Sequence, residues 1–229
     1  MFSDALKDLP ICANICRGYV VVTVDHPYDA NIVEFPDGRV IHGRDSPVDI
    51  PAREMASQVR SEDLSFVVSQ FQDAPSRSRL IDGLPGTIDF SGIVVWGHSL
   101  GGAAAAQMML RDDRIHAGAN LDGRLSDPVL RTGLSKPFLL FGKTSGECKG
   151  PTWTQFWEVL RDLKVELTIA GATHQSFIDY PLLVEALHLP GHHRSLLEPA
   201  IGPIAGIKMQ KILADILDGF FQLCVEPQL

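Results

Sequence analysis

The 229-residue sequence predicts an α/β fold in which a mostly parallel sheet carries helices on both faces. Two observations support this prediction. Short apolar, β-branched runs alternate with helical patterns along the chain, which is typical of a parallel sheet. The length and the 45% hydrophobic content suit a single domain, residues 1–229, built around one core.

Periodicity and turn residues predict the elements of the first half of the chain. Asp37-Gly38 lies between two β-prone runs, which indicates a hairpin. Apolar residues at helical spacing indicate a helix, and these residues are Met55, Val59, Leu64, Val67 and Val68. The predicted elements are a helix over 4–16, a strand over 19–25, a hairpin over 32–41, a helix over 51–71 and a loop up to residue 89.

The second half of the chain alternates more regularly between strand and helix patterns. The predicted strands cover 91–96, 115–121, 137–141 and 165–169. The predicted helices cover 102–110, 152–163 and 204–223, the last as an amphipathic closing helix.

Composition excludes several classes of function. The formal net charge of −8 and the lack of a Lys/Arg cluster argue against a nucleic-acid partner. No stretch is apolar for long enough to cross a bilayer, so we expect no transmembrane segment. The first residues lack the pattern of a secretory signal, which predicts a cytoplasmic protein. Cys12, Cys16, Cys148 and Cys224 do not have zinc-site spacing and are expected to be free thiols.

The segment Gly97-His98-Ser99-Leu100-Gly101 carries the strongest chemical signal. A predicted strand precedes it and a predicted helix follows it, which is the context of a nucleophile elbow. In such an elbow the serine hydroxyl projects from a strained turn, and the flanking glycines avoid clashes with strand and helix. The N–H of Leu100, at the helix start, would point to where an oxyanion forms.

A serine nucleophile needs a base and a carboxylate that orients the base. Asp122 and His174 each follow a predicted strand, and they come after Ser99 in the order serine, acid, histidine. Because the carboxyl ends of parallel strands meet at one edge of a sheet, we expect these three side chains to lie together. Asp122-Gly123 also fits a simple turn, and Asp127 and Asp179 are competing carboxylates.

Other polar residues have weaker assignments. His26, after the first strand, His98, inside the elbow, and Gln175, beside His174, are candidate pocket residues, although His26 equally suits a solvated loop and His98 a packing role. The spacing of three further histidines suggests metal binding, and these are His188, His192 and His193. No carboxylate accompanies them in the required pattern and Pro190-Gly191 predicts an exposed turn, so we expect no metal and no cofactor.

The sequence resembles the platelet-activating factor acetylhydrolases of the plasma and type II intracellular kind, within the α/β-hydrolase superfamily. The resemblance runs from about residue 2 to residue 180 and depends on four segments, which are 17–26, 97–102, 119–123 and 173–177. It implies an α/β-hydrolase fold with Ser99 as nucleophile, Asp122 as orienting acid and His174 as base. It also implies a calcium-independent esterase or lipase for a small-molecule or lipid-like ester with a short acyl group.

The sequence departs from that family's pattern at its start. In the family a second oxyanion N–H comes from a Gly-rich loop upstream of the segment that matches 17–26, and the present chain begins after that place. We therefore expect a fold shortened by its N-terminal strands, with Leu100 as the one oxyanion donor that can be named. The missing strand would lie beside the predicted 19–25 strand, so the sheet would re-pair, expose an edge or borrow a strand in a homodimer.

Two classes of function follow. The first is a serine hydrolase that cleaves a short acyl ester through an acyl-enzyme. The second retains the fold but uses the same residues as an acid/base pair in a cyclase, isomerase or condensing enzyme, or only binds a ligand. A partial gene product without activity is a third reading.

Overall fold

The computed structural model describes residues 18–44, 49–83, 86–144, 151–188 and 190–225. Near its start, strand β1 (Ile32–Glu34) pairs antiparallel with strand β2 (Val40–His42). Gly38 makes the intervening turn with a φ of 80°, which glycine adopts without steric cost. The predicted hairpin is therefore confirmed.

Beyond the hairpin, strands and helices alternate along the chain. In chain order the elements are α1 (Ile50–Gln72), α2 (Ala74–Leu80), β3 (Ile93–His98), α3 (Leu100–Arg111), β4 (Ile115–Leu121), α4 (Val129–Thr132), β5 (Phe138–Lys143), α5 (Pro151–Val159), β6 (Lys164–Ile169), a 3₁₀ helix (His174–Phe177), α6 (Tyr180–Ala186), α7 (Gly191–Ile201) and α8 (Gly206–Val225). Strands β3 to β6 form a parallel sheet in the order β3-β4-β5-β6. The prediction of a parallel α/β sheet is confirmed.

Helices cover both faces of this sheet. On one face α1, α3 and α5 pack in a cluster that includes Met108, Phe138 and Phe156, each 1% exposed or less. On the other face α8 supplies Leu213 and Leu217 to a second cluster. Burial of each such side chain contributes roughly 1.5–3 kcal/mol. The sheet is thus a rigid platform at whose carboxyl edge side chains are held in fixed positions.

Four consecutive alanines bring α3 close to the sheet. Residues 103–106 are all buried, and small side chains allow a helix axis to approach a strand closely. Across the contact, a Cβ on Gly118 of β4 would lie 2.3 Å from Met109 Sδ, so this strand position has no room for a side chain. Alanine is also the best helix former, so the same residues favour both the helix and its docking. This packing fixes the start of α3 over the end of β3.

The prediction of a strand over 19–25 is wrong in this structure. A β-strand is defined by its hydrogen bonds to a neighbouring strand, and within the described ranges residues 19–25 belong to no β-ladder. Residues 18–24 and β3 both line a cavity of about 730 Å³, so open space lies where a backbone partner would be needed.

The predicted loop before residue 89 contains a helix, α2. Asp73 begins it, since its side chain accepts a hydrogen bond from the Ser76 N–H at 3.0 Å and Pro75 occupies the first turn. The turn predicted at Pro190-Gly191 likewise begins helix α7. In α1, Met55 is 71% exposed, so it is not the core residue that its helical spacing predicts.

Some predictions fall on residues that the structure does not describe. The helix over 4–16 lies outside the described ranges, as do Cys12, Cys16 and Cys148. Cys224 is a free thiol, and burial raises its pKa to about 11. Among the described residues, no helix combines the length and apolar character that a bilayer span requires.

Candidate active site

Ser99 occupies the sharp turn between β3 and α3. Its φ of 55° and ψ of −121° are strained for a residue with a side chain, and it stands at the N-cap of α3 without capping the helix through its hydroxyl. The turn is close enough that a Cβ on Gly97 would lie 2.4 Å from the backbone carbon of Gly101. The predicted elbow geometry is therefore present, with the serine side chain at its apex.

The two glycines that flank Ser99 have different roles. Gly97 has no room for a side chain, as the sequence predicted. The prediction of the same steric requirement at Gly101 is wrong, because the nearest atom to a Cβ there is Arg60 Nη1 at 3.9 Å, an ordinary van der Waals contact. Gly102 is the second position without room, since its Cβ would lie 2.4 Å from Asn120 Oδ1.

His174 starts the 3₁₀ helix that follows β6 and reaches back across the sheet to Ser99. Its Nε2 lies 3.0 Å from Ser99 Oγ. The loop that carries it is closed by a capping box between Thr173 and Ser176, and the Ser176 hydroxyl donates to the Ile201 carbonyl at 2.8 Å. These contacts fix the imidazole within hydrogen-bonding distance of the serine hydroxyl.

Asp122 follows β4 and is fully buried. Its Oδ2 lies 2.7 Å from His174 Nδ1, and because a carboxylate only accepts, Nδ1 carries the proton and donates it. Its Oδ1 accepts from the Lys143 backbone N–H at 3.1 Å, and Lys143 Nζ lies 3.8 Å from Oδ2. Burial of an unpartnered carboxylate is strongly unfavourable, and these three partners offset that cost. With Nδ1 protonated, Nε2 carries a lone pair that can accept the Ser99 proton.

The turn that presents Asp122 depends on residues that the sequence did not single out. Asp122 has a φ of 51°, and Asn120 holds the turn through two bonds, accepting from the Gly123 N–H at 2.7 Å and donating to the Gly123 carbonyl at 3.0 Å. Trp153 of α5 donates to the same carbonyl at 2.7 Å. A Cβ on Gly123 would lie 2.2 Å from the Ser99 carbonyl oxygen, so this turn and the elbow are in direct contact.

The competing carboxylates lie elsewhere. Asp127 pairs with Arg131 one helical turn away, at 2.9 Å. Asp179 stands at the start of α6, where its Oδ1 lies 3.5 Å from Gln210 Nε2. Of the three carboxylates considered from the sequence, Asp122 is the one that meets His174.

The candidate pocket residues divide into separate environments. His26 lines the cavity beside β3, but its Nδ1 pairs with Asp63 of α1 at 2.7 Å. His98 contacts His174 directly, with its Nε2 3.0 Å from the His174 carbonyl oxygen. Gln175 is half-buried in the 3₁₀ helix. No group of three or more potential metal ligands occurs in the described ranges, and His188, His192 and His193 are exposed on and before α7.

The start of α3 supplies the electrophilic side of the site. Leu100 is the first residue of the helix, so its backbone N–H has no partner within the helix. The helix dipole concentrates partial positive charge at the same point. An oxygen that gains negative charge beside Ser99 would be stabilised there. The side chains of Ser99, His174 and Asp122 and the backbone N–H of Leu100 thus lie together at the carboxyl edge of the sheet.

The chain is similar to known proteins in sequence and in fold. The sequence profile described as platelet-activating factor acetylhydrolase, isoform II, matches residues 76–190. A probable 1-alkyl-2-acetylglycerophosphocholine esterase from Arthroderma benhamiae is 30% identical over 222 residues, which cover 90% of this chain and 53% of that protein. The structure of a ferulic acid esterase from Streptomyces cinnamoneus superposes with a TM-score of 0.70 at 29% identity, over 89% of this chain and 59% of the other. The chain spans little more than half the length of either relative.

Proposed function

Because the chain belongs to the platelet-activating factor acetylhydrolase, isoform II, family and has the α/β-hydrolase fold, we propose that it is a carboxylic ester hydrolase that acts through Ser99, His174 and Asp122. The observation that carries the proposal is the unbroken hydrogen-bond chain between these residues. Ser99 Oγ lies 3.0 Å from His174 Nε2, and His174 Nδ1 lies 2.7 Å from Asp122 Oδ2.

In the proposed acylation step, Ser99 Oγ attacks the carbonyl carbon of the ester while His174 Nε2 takes the hydroxyl proton. Asp122 stabilises the imidazolium that results and fixes the ring tautomer. The carbonyl oxygen becomes an oxyanion, which the Leu100 N–H stabilises. Collapse of the tetrahedral intermediate expels the alcohol, which takes its proton from His174, and leaves the acyl group on Ser99.

In the proposed deacylation step, His174 takes a proton from a water molecule as that water attacks the acyl-enzyme. The second tetrahedral intermediate collapses with Ser99 as leaving group, and His174 returns the proton to Ser99 Oγ. The products are a carboxylic acid and the restored enzyme. Ester hydrolysis changes no oxidation state. In both steps His174 accepts and returns each proton that is transferred.

The substrate that we propose is an ester with a short acyl group. The relative from Arthroderma benhamiae is named as a probable 1-alkyl-2-acetylglycerophosphocholine esterase, and this name contains the short acetyl group. The structural relative is named as a ferulic acid esterase, so its name supports ester hydrolysis but not a short acyl group. Both names describe ester hydrolysis, in which an acyl group passes from the alcohol oxygen of an ester to water.

The first experiment asks whether Ser99 is the nucleophile. We expect a fluorophosphonate probe to add to the protein at Ser99, as read by peptide mass spectrometry, and p-nitrophenyl acetate to be hydrolysed. Ser99→Ala should form no adduct at residue 99, and its rate of p-nitrophenyl acetate hydrolysis should fall by on the order of 10⁴-fold or more. Ser78→Ala, which removes a hydroxyl from α2 away from the site, serves as the matched control and should keep both.

The outcomes separate hydrolysis from the alternatives. A folded wild-type protein that shows no adduct at Ser99 would overturn the assignment of the nucleophile. An adduct at Ser99 combined with negligible turnover of acetyl and butyryl p-nitrophenyl esters would instead point to a non-hydrolytic use of the same residues, and would contradict the proposed reaction.

A further inference from the structure

His98 joins the strand that carries the nucleophile to the loop that carries the base. It is the last residue of β3 and directly precedes Ser99. Its Nε2 lies 3.0 Å from the backbone carbonyl oxygen of His174, and the centroids of the two imidazole rings are 4.4 Å apart. A carbonyl oxygen only accepts, so His98 Nε2 carries a proton and donates it.

The environment of His98 keeps it neutral. Burial, with the neighbouring His174 as the second cause, lowers the pKa of His98 to about 4. A neutral imidazole with its proton on Nε2 exists as one tautomer, whose Nδ1 carries the lone pair. His98 therefore adds no positive charge beside the imidazolium that forms on His174 during the proposed reaction. The residue can therefore act as a fixed donor at pH values above about 4.

The topology explains why such a donor is needed. Ser99 follows β3 and His174 follows β6, which are the two outermost strands of the parallel sheet. The loop after β6 must therefore extend over β5 and β4 before His174 meets Ser99. Ser176 fixes this loop on the side of α7, through its bond to the Ile201 carbonyl. On the side of Ser99, His98 bonds to the loop backbone.

We propose that His98 is a positioning residue that holds the backbone of His174, so that the imidazole stays aligned between Ser99 and Asp122. The inference rests on the proposed hydrolase function. The ring of His98 also stacks on Phe177 at the end of the same 3₁₀ helix, with 6.4 Å between centroids and 8° between planes. His98 thus contacts both ends of the short helix that carries the base.

The test compares two replacements of similar length. His98→Gln retains an amide N–H donor, whereas His98→Met fills the space without a donor. We expect His98→Met to lower kcat for p-nitrophenyl acetate by roughly 10- to 100-fold with little change in KM, because a displaced base slows the chemical step. We expect His98→Gln to recover most of that loss. His116→Met, at an exposed histidine on β4, is the matched control and should behave as wild type.

A role in packing alone predicts the opposite order. Methionine packs well in an apolar contact and glutamine buries an amide, so His98→Met would then be the more active and the more stable variant. That order would overturn the inference. Thermal unfolding of both variants shows whether each one is folded when kcat is measured.

A second measurement is independent of turnover. Ring ¹⁵N NMR of the wild-type protein near neutral pH should show His98 protonated at Nε2 and unprotonated at Nδ1, and the Nε2 proton should be protected from exchange. A proton on Nδ1 would overturn the inference even in an active enzyme. Absence of esterase activity in the wild type would overturn the proposed function, and the NMR result would still decide the contact between His98 and His174.

Discussion

Gly97 and Gly101 flank Ser99 symmetrically in the sequence but not in space. A Cβ on Gly97 would meet the backbone of Gly101 at 2.4 Å, whereas a Cβ on Gly101 would meet only the tip of the Arg60 side chain, at 3.9 Å. Backbone atoms cannot move away without opening the elbow. The flexible Arg60 side chain, in contrast, can move away and leave the elbow intact.

This asymmetry predicts different results for two conservative substitutions. Gly97→Ala should destabilise the fold by several kcal/mol and abolish fluorophosphonate labelling of Ser99, because the strand and helix must separate. Gly101→Ala should leave stability unchanged or raise it by up to about 1 kcal/mol, since alanine favours the helix over glycine. Urea unfolding of both variants measures the difference. Equal destabilisation by the two substitutions would contradict it.

At the scale of single residues, the sequence predicted the side chains that meet but not those that hold them. Ser99, Asp122 and His174 could be found because the chemistry proposed for them has a fixed chain order and each residue follows a strand. Asn120 and Lys143 could not, because their contribution is a contact with a turn whose shape is not local. An asparagine two residues before Asp122 has no pattern that distinguishes it from a core polar residue.

Among the elements, α1 is tied to the turn between α3 and β4 by one arginine. Arg114 donates to the Ser65 carbonyl, to Ser69 Oγ and to Gln72 Oε1, each at 3.0 Å. It also pairs with Asp112 at 2.6 Å, and the hydrogen bonds that the Arg114 side chain and backbone donate to this carboxylate lower the pKa of Asp112 to about 2. The last two turns of α1 are therefore held against the end of the helix that begins at the elbow.

Removal of this arginine should loosen the helix pair. We expect Arg114→Met to lower the free energy of unfolding by roughly 1–3 kcal/mol, because it leaves the buried Asp112 carboxylate without its cation. Arg131→Met is the matched control. Its side chain is 74% exposed in its pair with Asp127, and exposed pairs contribute about 0–1 kcal/mol. Urea denaturation near neutral pH compares them, and similar losses for the two variants would count against the proposed link.

The elements also show where sequence periodicity was insufficient. The regular alternation from β3 to β6 was predictable, because short strand patterns alternate with helical patterns along this part of the chain. Strand β5 is an apolar run, whereas the edge strand β6 alternates polar and apolar residues. The strand pattern over 19–25 is equally strong, but pairing is a property of two segments, and in the part of the chain that the structure describes this segment joins no β-ladder. Helix α2 was missed because Pro, Ser and Arg residues suggest a loop until the Asp73 cap is recognised.

At the scale of the whole molecule, two perturbed groups connect stability to pH. The pKa of His98 is lowered from 6.5 to about 4, so the unfolded chain binds a proton there that the folded protein does not bind until lower pH. The pKa of Asp112 is lowered from 3.8 to about 2, which has the same sign at more acidic pH. Both groups make the folded state less stable as pH falls.

We therefore expect the free energy of unfolding to decline between about pH 6.5 and pH 4, by up to about 3 kcal/mol from His98. The decline should continue below about pH 4 as Asp112 becomes protonated in the unfolded chain. Urea denaturation across this range measures it, and His98→Gln should flatten the upper part of the profile alone. A wild-type profile with no slope above pH 4 would show that His98 titrates normally.

The position of Ser99 at the N-cap of α3 has a consequence for how this protein can change. Serine is among the side chains that best cap a helix, yet here the hydroxyl faces His174 and makes no cap. The helix therefore forgoes stabilisation of about 0.5–2 kcal/mol, and the backbone at this residue is strained as well. Glycine at position 99 would relieve the strain but remove the hydroxyl. Selection for thermal stability alone would thus favour replacement of Ser99 and loss of its hydroxyl. The serine persists only where its chemistry is under selection.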